Sequence, residues 1–386
     1  MPEKPRPRLL VLESLPTISG GQQVLLDMIP ALRAVGDLRV LLPAEGPLSK
    51  ALGAFDVPCT FASLGDYTLV QKTLGDVLAY AARLPYLTLH VRRLIRSEAI
   101  DLVYANSART FVWGTFAAAL AGRPILWHHH NLLGDEKTLA LLRTIGKLPA
   151  VRRILCVSEA AARQFPALAA KTVVIPNGVD TEKFRPVPAW RAEVRNALGI
   201  SGDAPVVGMV GDLIALKGQH VLLEAVQHLP AGVHTVIVGD PRPGDAASAA
   251  YGRRLREMAG PNVHFLGRRE DLPEVLNALD LLVVASERET GPLVLLEGLA
   301  CGVPALSTPV GRAPDLLSAE MLFPVGDSAA LEARLQDRLA EPQKLRAAGD
   351  AARSVALQHA SLERFQSRIR EEIEATLAPR KSLDNL

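Results

Sequence analysis

"LDLLVVASERETGPLVLLEGLACGVPALST" (279–308) contains a complete strand–helix–strand unit. "LDLLVVAS" (279–286) is a short apolar run of strand length, and "VPALST" (303–308) is a second. Between them a helix is expected from about Thr290, with Gly291, Pro292 and Leu293 in its first turn. Proline is tolerated there because its missing N–H has no helical partner to lose. Two strands joined by a helix imply a right-handed crossover and a parallel sheet. Glu289 and Glu297 stand eight positions apart around that helix start, the second expected about two turns further in. Hydroxyl groups of a sugar and a ribose, with a phosphate between them at the helix N-terminus, would suit two such carboxylates. An acidic N-terminal cap plus one exposed glutamate fits the spacing equally well.

The same alternation extends outward in both directions. Upstream, "RLLVLES" (8–14), "LRVLLP" (38–43), "IDLVYAN" (100–106), "PILWHHHN" (124–131), "RRILCVS" (152–158) and "KTVVIPNG" (171–178) read as strands. Helical patterns at 21–36, 70–98 and 109–122 separate them. The pattern breaks over 176–205, a linker with four prolines and one short helix, and restarts at "PVVGMVGDL" (205–213). "HTVIVGD" (234–240), "NVHFLG" (262–267) and "EMLFPVG" (320–326) are further strands, and 360–378 is a last helical stretch. The fold class is therefore α/β, with two doubly wound, Rossmann-like parallel-sheet domains facing across a crevice. Ligands of such sheets sit beyond the carboxyl ends of the strands.

Composition fits that architecture. A chain of 386 residues with 48% hydrophobic residues is long enough for two cores. The 43 Lys and Arg balance 41 Asp and Glu, so net charge +2 gives no global pull toward nucleic acid. Three scattered cysteines, Cys59, Cys156 and Cys301, suggest a reducing compartment and fit no zinc spacing. No apolar run is long enough to span a membrane, and the N-terminus reads as a first strand.

Polar residues at strand ends are the candidate site. Lys217 stands at a strand-to-helix turn, before Gly218, where a lysine is a good phosphate ligand or simply a solvated surface charge. Gly20 and Gly21, in "PTISGGQQ" (16–23), occupy the matching place in the first half and admit close backbone approach. The stretch is not G-x-G-x-x-G, so a dinucleotide reading is weak. His128, His129 and His130 close a strand, with His128 and His130 on one face; no carboxylate or cysteine at ligand spacing accompanies them, which argues against a metal.

Taken together, "ERETGPLVLLEGLACGVPALSTPVG", "KGQHVLLEA", "ILCVSEAAARQF", "VVIPNGVDTEKFRP" and "NVHFLG" resemble, in order, the retaining glycosyltransferases of family 4 with the GT-B fold. The resemblance spans nearly the whole chain and includes that family's E-x7-E signature. It implies an N-terminal acceptor-side domain over 1–180, rejoined by a helix over 362–386, and a donor-binding domain over 181–361. Glu289 would contact donor-sugar hydroxyls and Glu297 the ribose. Lys217 would hold the diphosphate, with the amides of Leu293 and Val294 beside Gly291 at the helix start. Gly21 would approach the diphosphate from the first half, His130 the sugar near its reacting carbon, and Phe265 to Gly267 the base. Asp212 stands where the family often has arginine, Pro292 removes an amide donor, and Arg312 is a candidate replacement cation.

The implied reaction moves a hexose from a UDP- or GDP-linked sugar to a hydroxyl of a glycan or lipid-linked acceptor, without metal or cofactor, at a cytoplasmic site. Cell-surface polysaccharide or glycolipid synthesis is the expected setting. Another GT-B sugar-nucleotide enzyme (an epimerase or phosphorylase), or a non-catalytic sugar-nucleotide-binding protein, is the alternative. Leu87, Val91 and Leu94 share a helical face, with Arg92, Arg93 and Arg96 beside them and Lys147, Arg152 and Arg153 further on. That face either docks peripherally on anionic lipid or packs its stripe on the core and solvates its arginines.

Overall fold

The computed structural model describes residues 5–63 and 74–378. Residues 70–73 of the expected 70–98 helix and the end of the 362–386 segment lie outside them. The described residues form two compact units, divided between Pro176 and Asn177 and again between Leu362 and Glu363.

The first unit is built on a parallel sheet of β1 (Arg8–Leu12), β2 (Asp37–Leu42), β3 (Cys59–Phe61), β4 (Leu102–Ala105), β5 (Ile125–His129), β6 (Val151–Cys156) and β7 (Thr172–Val174), in the order β3-β2-β1-β4-β5-β6-β7. The order reverses between β1 and β4, which pair Leu9 with Leu102 and Leu12 with Ala105. Leu10, Leu12, Val103, Ile125, Trp127 and Ile154 are buried in one core with helix residues Phe111 and Trp113. Helices cover the sheet, so its strands read as continuous apolar runs.

The second unit repeats the topology with five strands: β8 (Val206–Val210), β9 (His234–Val238), β10 (Val263–Gly267), β11 (Leu281–Val284) and β12 (Ala305–Ser307), ordered β10-β9-β8-β11-β12. Its reversal point lies between β8 and β11. The two ends of this unit lie side by side: the Val179 amide donates to the Ala360 carbonyl, and the Leu362 amide to the Val179 carbonyl. From Glu363 onward the Leu362–Leu377 helix belongs to the first unit. There Gln366 Nε2 donates to the Asp27 carbonyl at 2.7 Å, and Arg153 pairs with Glu372 at 3.0 Å.

Three elements differ from the sequence reading. "EMLFPVG" is no strand: Ala319–Met321 is a 3-10 turn, and Leu322 makes only an isolated bridge to Ser307. Pro324 has no N–H to give a ladder, and Gly326 turns the chain at φ 74°. The loop after β5 contains a helix, Glu136–Gly146, opened by Asp135 accepting from the amides of Lys137 and Thr138. The central helix of 279–308 starts at Leu293, not Thr290. Proline disfavours helical dihedrals at the residue before it, and Pro292 itself is extended with ψ 113°.

Candidate active site

Within each unit, polar residues past the carboxyl ends of the strands flank that sheet's own reversal point, as in doubly wound sheets. In the second unit, β8 leads through Gly211 and Asp212 to a short 3-10 turn, Ala215–Lys217, and then to the Gln219–Val226 helix. Gly218 makes the corner at φ 78°, and a Cβ there would stand 2.2 Å from the Ala285 carbonyl oxygen. That close approach seats the lysine turn against the end of β11. Lys217 Nζ consequently donates to Glu289 Oε1. Ser286 Oγ lies 3.5 Å from the same oxygen. The lysine, read from sequence as exposed, is 26% accessible and its carboxylate partner 19%. Seventy-two residues of chain separate the two, so the fold, not local sequence, creates the pair.

The neighbouring candidates are placed more loosely. With the helix beginning at Leu293, Glu297 falls about one turn into it, not two, and is half-buried. Leu293 and Val294 supply the first amides, and no side chain caps that end. Gly311, at φ 54°, lies under the Thr290–Gly291 loop, where a Cβ would stand 2.7 Å from the Thr290 carbonyl oxygen. Arg312 donates to the His359 carbonyl at 3.4 Å. Phe265 and Gly267 end the edge strand β10, and Arg256 lies over the Phe265 ring at 5.2 Å. Asp212 is not an isolated negative charge, because Arg242 Nε meets its Oδ2 at 2.8 Å. The sequence reading missed Arg242; its signal was a lone arginine just past the end of β9.

In the first unit the helix Gly20–Val35 begins with Ser19, whose amide donates to Gln22 Oε1 at 3.2 Å, one half of a capping box. Gly20 has open space where a Cβ would stand, whereas a Cβ on Gly21 would lie 3.8 Å from the His130 ring. His130 Nε2 meets Asn106 Oδ1 at 3.0 Å. Asn106 Nδ2 reaches the Gly21 carbonyl at 3.3 Å and Glu13 Oε2 at 2.7 Å. The structure therefore joins the expected Gly21 and His130 through Asn106 and Glu13, which sequence reasoning passed over. Their signal was a polar residue closing each of two apolar strands, "RLLVLES" and "IDLVYAN".

Burial sets the charge states here. His130 is held down to about 3 and His129 to about 4, by burial first; the neighbouring His129 adds to it at His130, and Gln164 opposes it at His129. Burial first, and then the neighbouring His130 and His129, hold His128 well below its ordinary value. All three rings are neutral near pH 7. His128 Nδ1 takes the Tyr104 hydroxyl at 2.7 Å and His129 Nε2 faces Gln164 Oε1 at 3.0 Å, so each ring has its own partner. Among the described residues no group of three or more His, Cys, Asp or Glu could hold a metal.

Comparison with known proteins finds a family match in each half of the chain. The family described as Glycosyltransferase Family 4 matches residues 18–183, and Glycosyl transferases group 1 matches 191–355. An Escherichia coli UDP-Gal:alpha-D-GlcNAc-diphosphoundecaprenol alpha-1,3-galactosyltransferase is 27% identical over 318 residues, 76% of this chain and 77% of that one. A D-inositol 3-phosphate glycosyltransferase of Mycobacterium bovis is 35% identical over 247 residues, 57% of this chain; the match spans 51% of that relative's length. The crystal structure of Anabaena Alr3699/HepE with UDP superposes with a TM-score of 0.82 at 24% identity, covering 95% of this chain and 100% of that one. Two parallel sheets of this topology, and family matches across both halves, make the chain a member of the GT-B glycosyltransferases, with a family 4 first half and a group 1 second half.

Proposed function

We propose that the protein transfers a hexose from a UDP-sugar to a hydroxyl of a lipid-linked acceptor, retaining the anomeric configuration and using no metal. The observation that carries this is the meeting of Lys217 and Glu289 at the reversal point of the second sheet. The ammonium answers a diphosphate, and the carboxylate answers sugar hydroxyls. Amides of Leu293 and Val294 at the helix start add fixed dipoles, and Glu297 accepts from the ribose. His130, neutral, meets the sugar near its reacting carbon. The anomeric C–O bond to the diphosphate breaks, the acceptor oxygen bonds to that carbon, and the hydroxyl proton passes to the departing phosphate. Lys217 and the amides stabilise the leaving diphosphate without reorganising.

The donor and acceptor classes draw support from the Escherichia coli relative, whose name gives UDP-galactose and a diphosphoundecaprenol-linked sugar. A membrane-embedded acceptor implies a docking face. The Leu74–Ser97 helix shows Tyr86 and Leu89 at 58% and 47% exposure, and the Ala108–Ala121 helix shows Leu120 at 54%. Arg92 and Arg96 both donate to the Leu120 carbonyl, so the two helices present one mixed apolar and basic face.

The test is donor consumption across UDP- and GDP-hexoses, with and without lipid extract. We expect turnover of a UDP-hexose that requires the extract, and its loss in Lys217→Ala and Glu289→Gln. Turnover without acceptor, or wild-type turnover in both variants, would overturn the proposal.

A further inference from the structure

We infer that Glu13 and Asn106 are positioning residues that fix His130 as the neutral tautomer with its proton on Nε2. Glu13 is fully buried at the tip of β1, and Asn106, 1% exposed, closes the neighbouring β4. Each contact in the chain Glu13–Asn106–His130 has only one chemically sensible direction. Glu13 Oε1 accepts from the backbone amides of Ser14 and Leu15, which can only donate. An ionised carboxylate is acceptor-only, so the Asn106 NH2 group must face Oε2, where it stands at 2.7 Å. The same NH2 group also reaches the Gly21 carbonyl, which again can only accept. Two acceptors on one side lock the amide against rotation. Its oxygen is then turned to His130 Nε2 at 3.0 Å, and an amide oxygen accepts. The imidazole must therefore carry its proton on Nε2 and its lone pair on Nδ1.

The placement suits a tuned group more than a loop brace. Bracing the β1 tip needs only the carboxylate's contacts with Ser14 and Leu15. The second carboxylate oxygen is spent on Asn106, which links it to the ring packed on Gly21. Asn106 comes from β4 and His130 follows β5, so three neighbouring strands each contribute one member. Burial raises the Glu13 carboxyl from its ordinary range, while hydrogen bonds from Asn106, Ser14, Gln22 and Leu15 oppose the rise. Those four donors all favour the ionised form that the relay needs.

The catalytic part of this inference rests on the assignment of His130 to the donor sugar; the tautomer part does not. Long-range proton–nitrogen NMR of the imidazoles reads the tautomer without any substrate, with the His130 signals assigned through His130→Asn. We expect the wild-type protein to show a protonated, pyrrole-type Nε2 and a pyridine-type Nδ1. In Glu13→Gln the two backbone amides claim the single amide oxygen, so the new NH2 group faces Asn106 and turns its amide. The His130 tautomer then shifts toward Nδ1–H. Asn106→Ala leaves the Ser14 and Leu15 contacts intact and should give a tautomer mixture, which supplies the reading if Glu13→Gln does not fold. In transfer assays both variants should lower kcat about 10-fold or more with donor KM within about twofold, since orientation and not donor affinity is lost. A wild-type Nδ1–H tautomer, or an unchanged Nε2–H tautomer in the variants that fold, would overturn the relay. Shifted tautomers with unchanged kcat would confine it to structure and leave the transferase assignment to its own test.

Discussion

His128, His129 and His130 make the pH response of the fold predictable from its side chains. Each is buried neutral, with its folded-state value below the ordinary 6.5, so the unfolded chain binds more protons between the two values. Stability is therefore fully present above about pH 6.5 and is lost as pH falls toward 4 for His129 and 3 for His130. His129 alone should cost about 2 kcal/mol at pH 5, from 1.36 kcal/mol per tenfold difference in proton affinity. Glu13, raised by burial, acts in the opposite sense, losing stability as pH rises through its folded value. Urea midpoints measured from pH 7.5 to 5 should fall, and fall less in His129→Gln; a flat profile would contradict neutral burial. At this scale the sequence was half legible. The types and places of Lys217, Glu289 and His130 could be read because each lies in the segment that follows a strand. That Lys217 closes on Glu289, Arg242 on Asp212 and Glu13 on Asn106 could not, because each pair joins loops that only sheet order makes neighbours.

At the scale of elements, periodicity located the longer helices and left open what covers one of their faces. Of the two readings of the Leu87 and Val91 stripe, lipid-facing or packed on the core, the structure has the second: they are 1% and 0% exposed and pack in the core with Ile95. A 3.6-residue period identifies an apolar face without saying what covers it. The exposed row on the same helix is instead Leu78, Tyr86 and Leu89, with Arg93 alongside. Arg153 is paired with Glu372, which removes it from the basic set. If this face docks on lipid, the protein should co-sediment with anionic vesicles at low salt. Binding should weaken at high salt, at roughly 1 kcal/mol per nearby arginine. Leu89→Glu with Leu120→Glu should abolish it without lowering the melting temperature. No sedimentation of the wild-type protein would remove the docking face and favour a water-borne acceptor. Short elements escaped the sequence reading for a simple reason: β3 has three residues, Cys59–Phe61, partly exposed at a sheet edge, too few for a period to show.

At the scale of the molecule, the alternation of strands and helices announced both sheets, and the proline-rich stretch 176–205 announced the junction between them. What has so far been only a division of residues also sets an order of events in synthesis. The second unit is one unbroken run, Asn177–Leu362, whose ends are hydrogen-bonded to each other. The first is in two pieces, and its last piece carries Phe365, Ile369 and Ile373, buried to 3%, 0% and 0%. A ribosome thus releases everything the second unit needs before it releases the piece that completes the first. The nascent first half must wait, with the apolar surface meant for those three side chains uncovered, while about two hundred residues are added behind it; at 5–20 residues per second that is on the order of 10–40 seconds. The fragment 177–362 should accordingly fold alone and unfold cooperatively. A chain stopped after Leu362 should keep that transition while its other half binds ANS and is cut early by protease. Loss of both transitions in the truncated chain would show that the halves fold only as one.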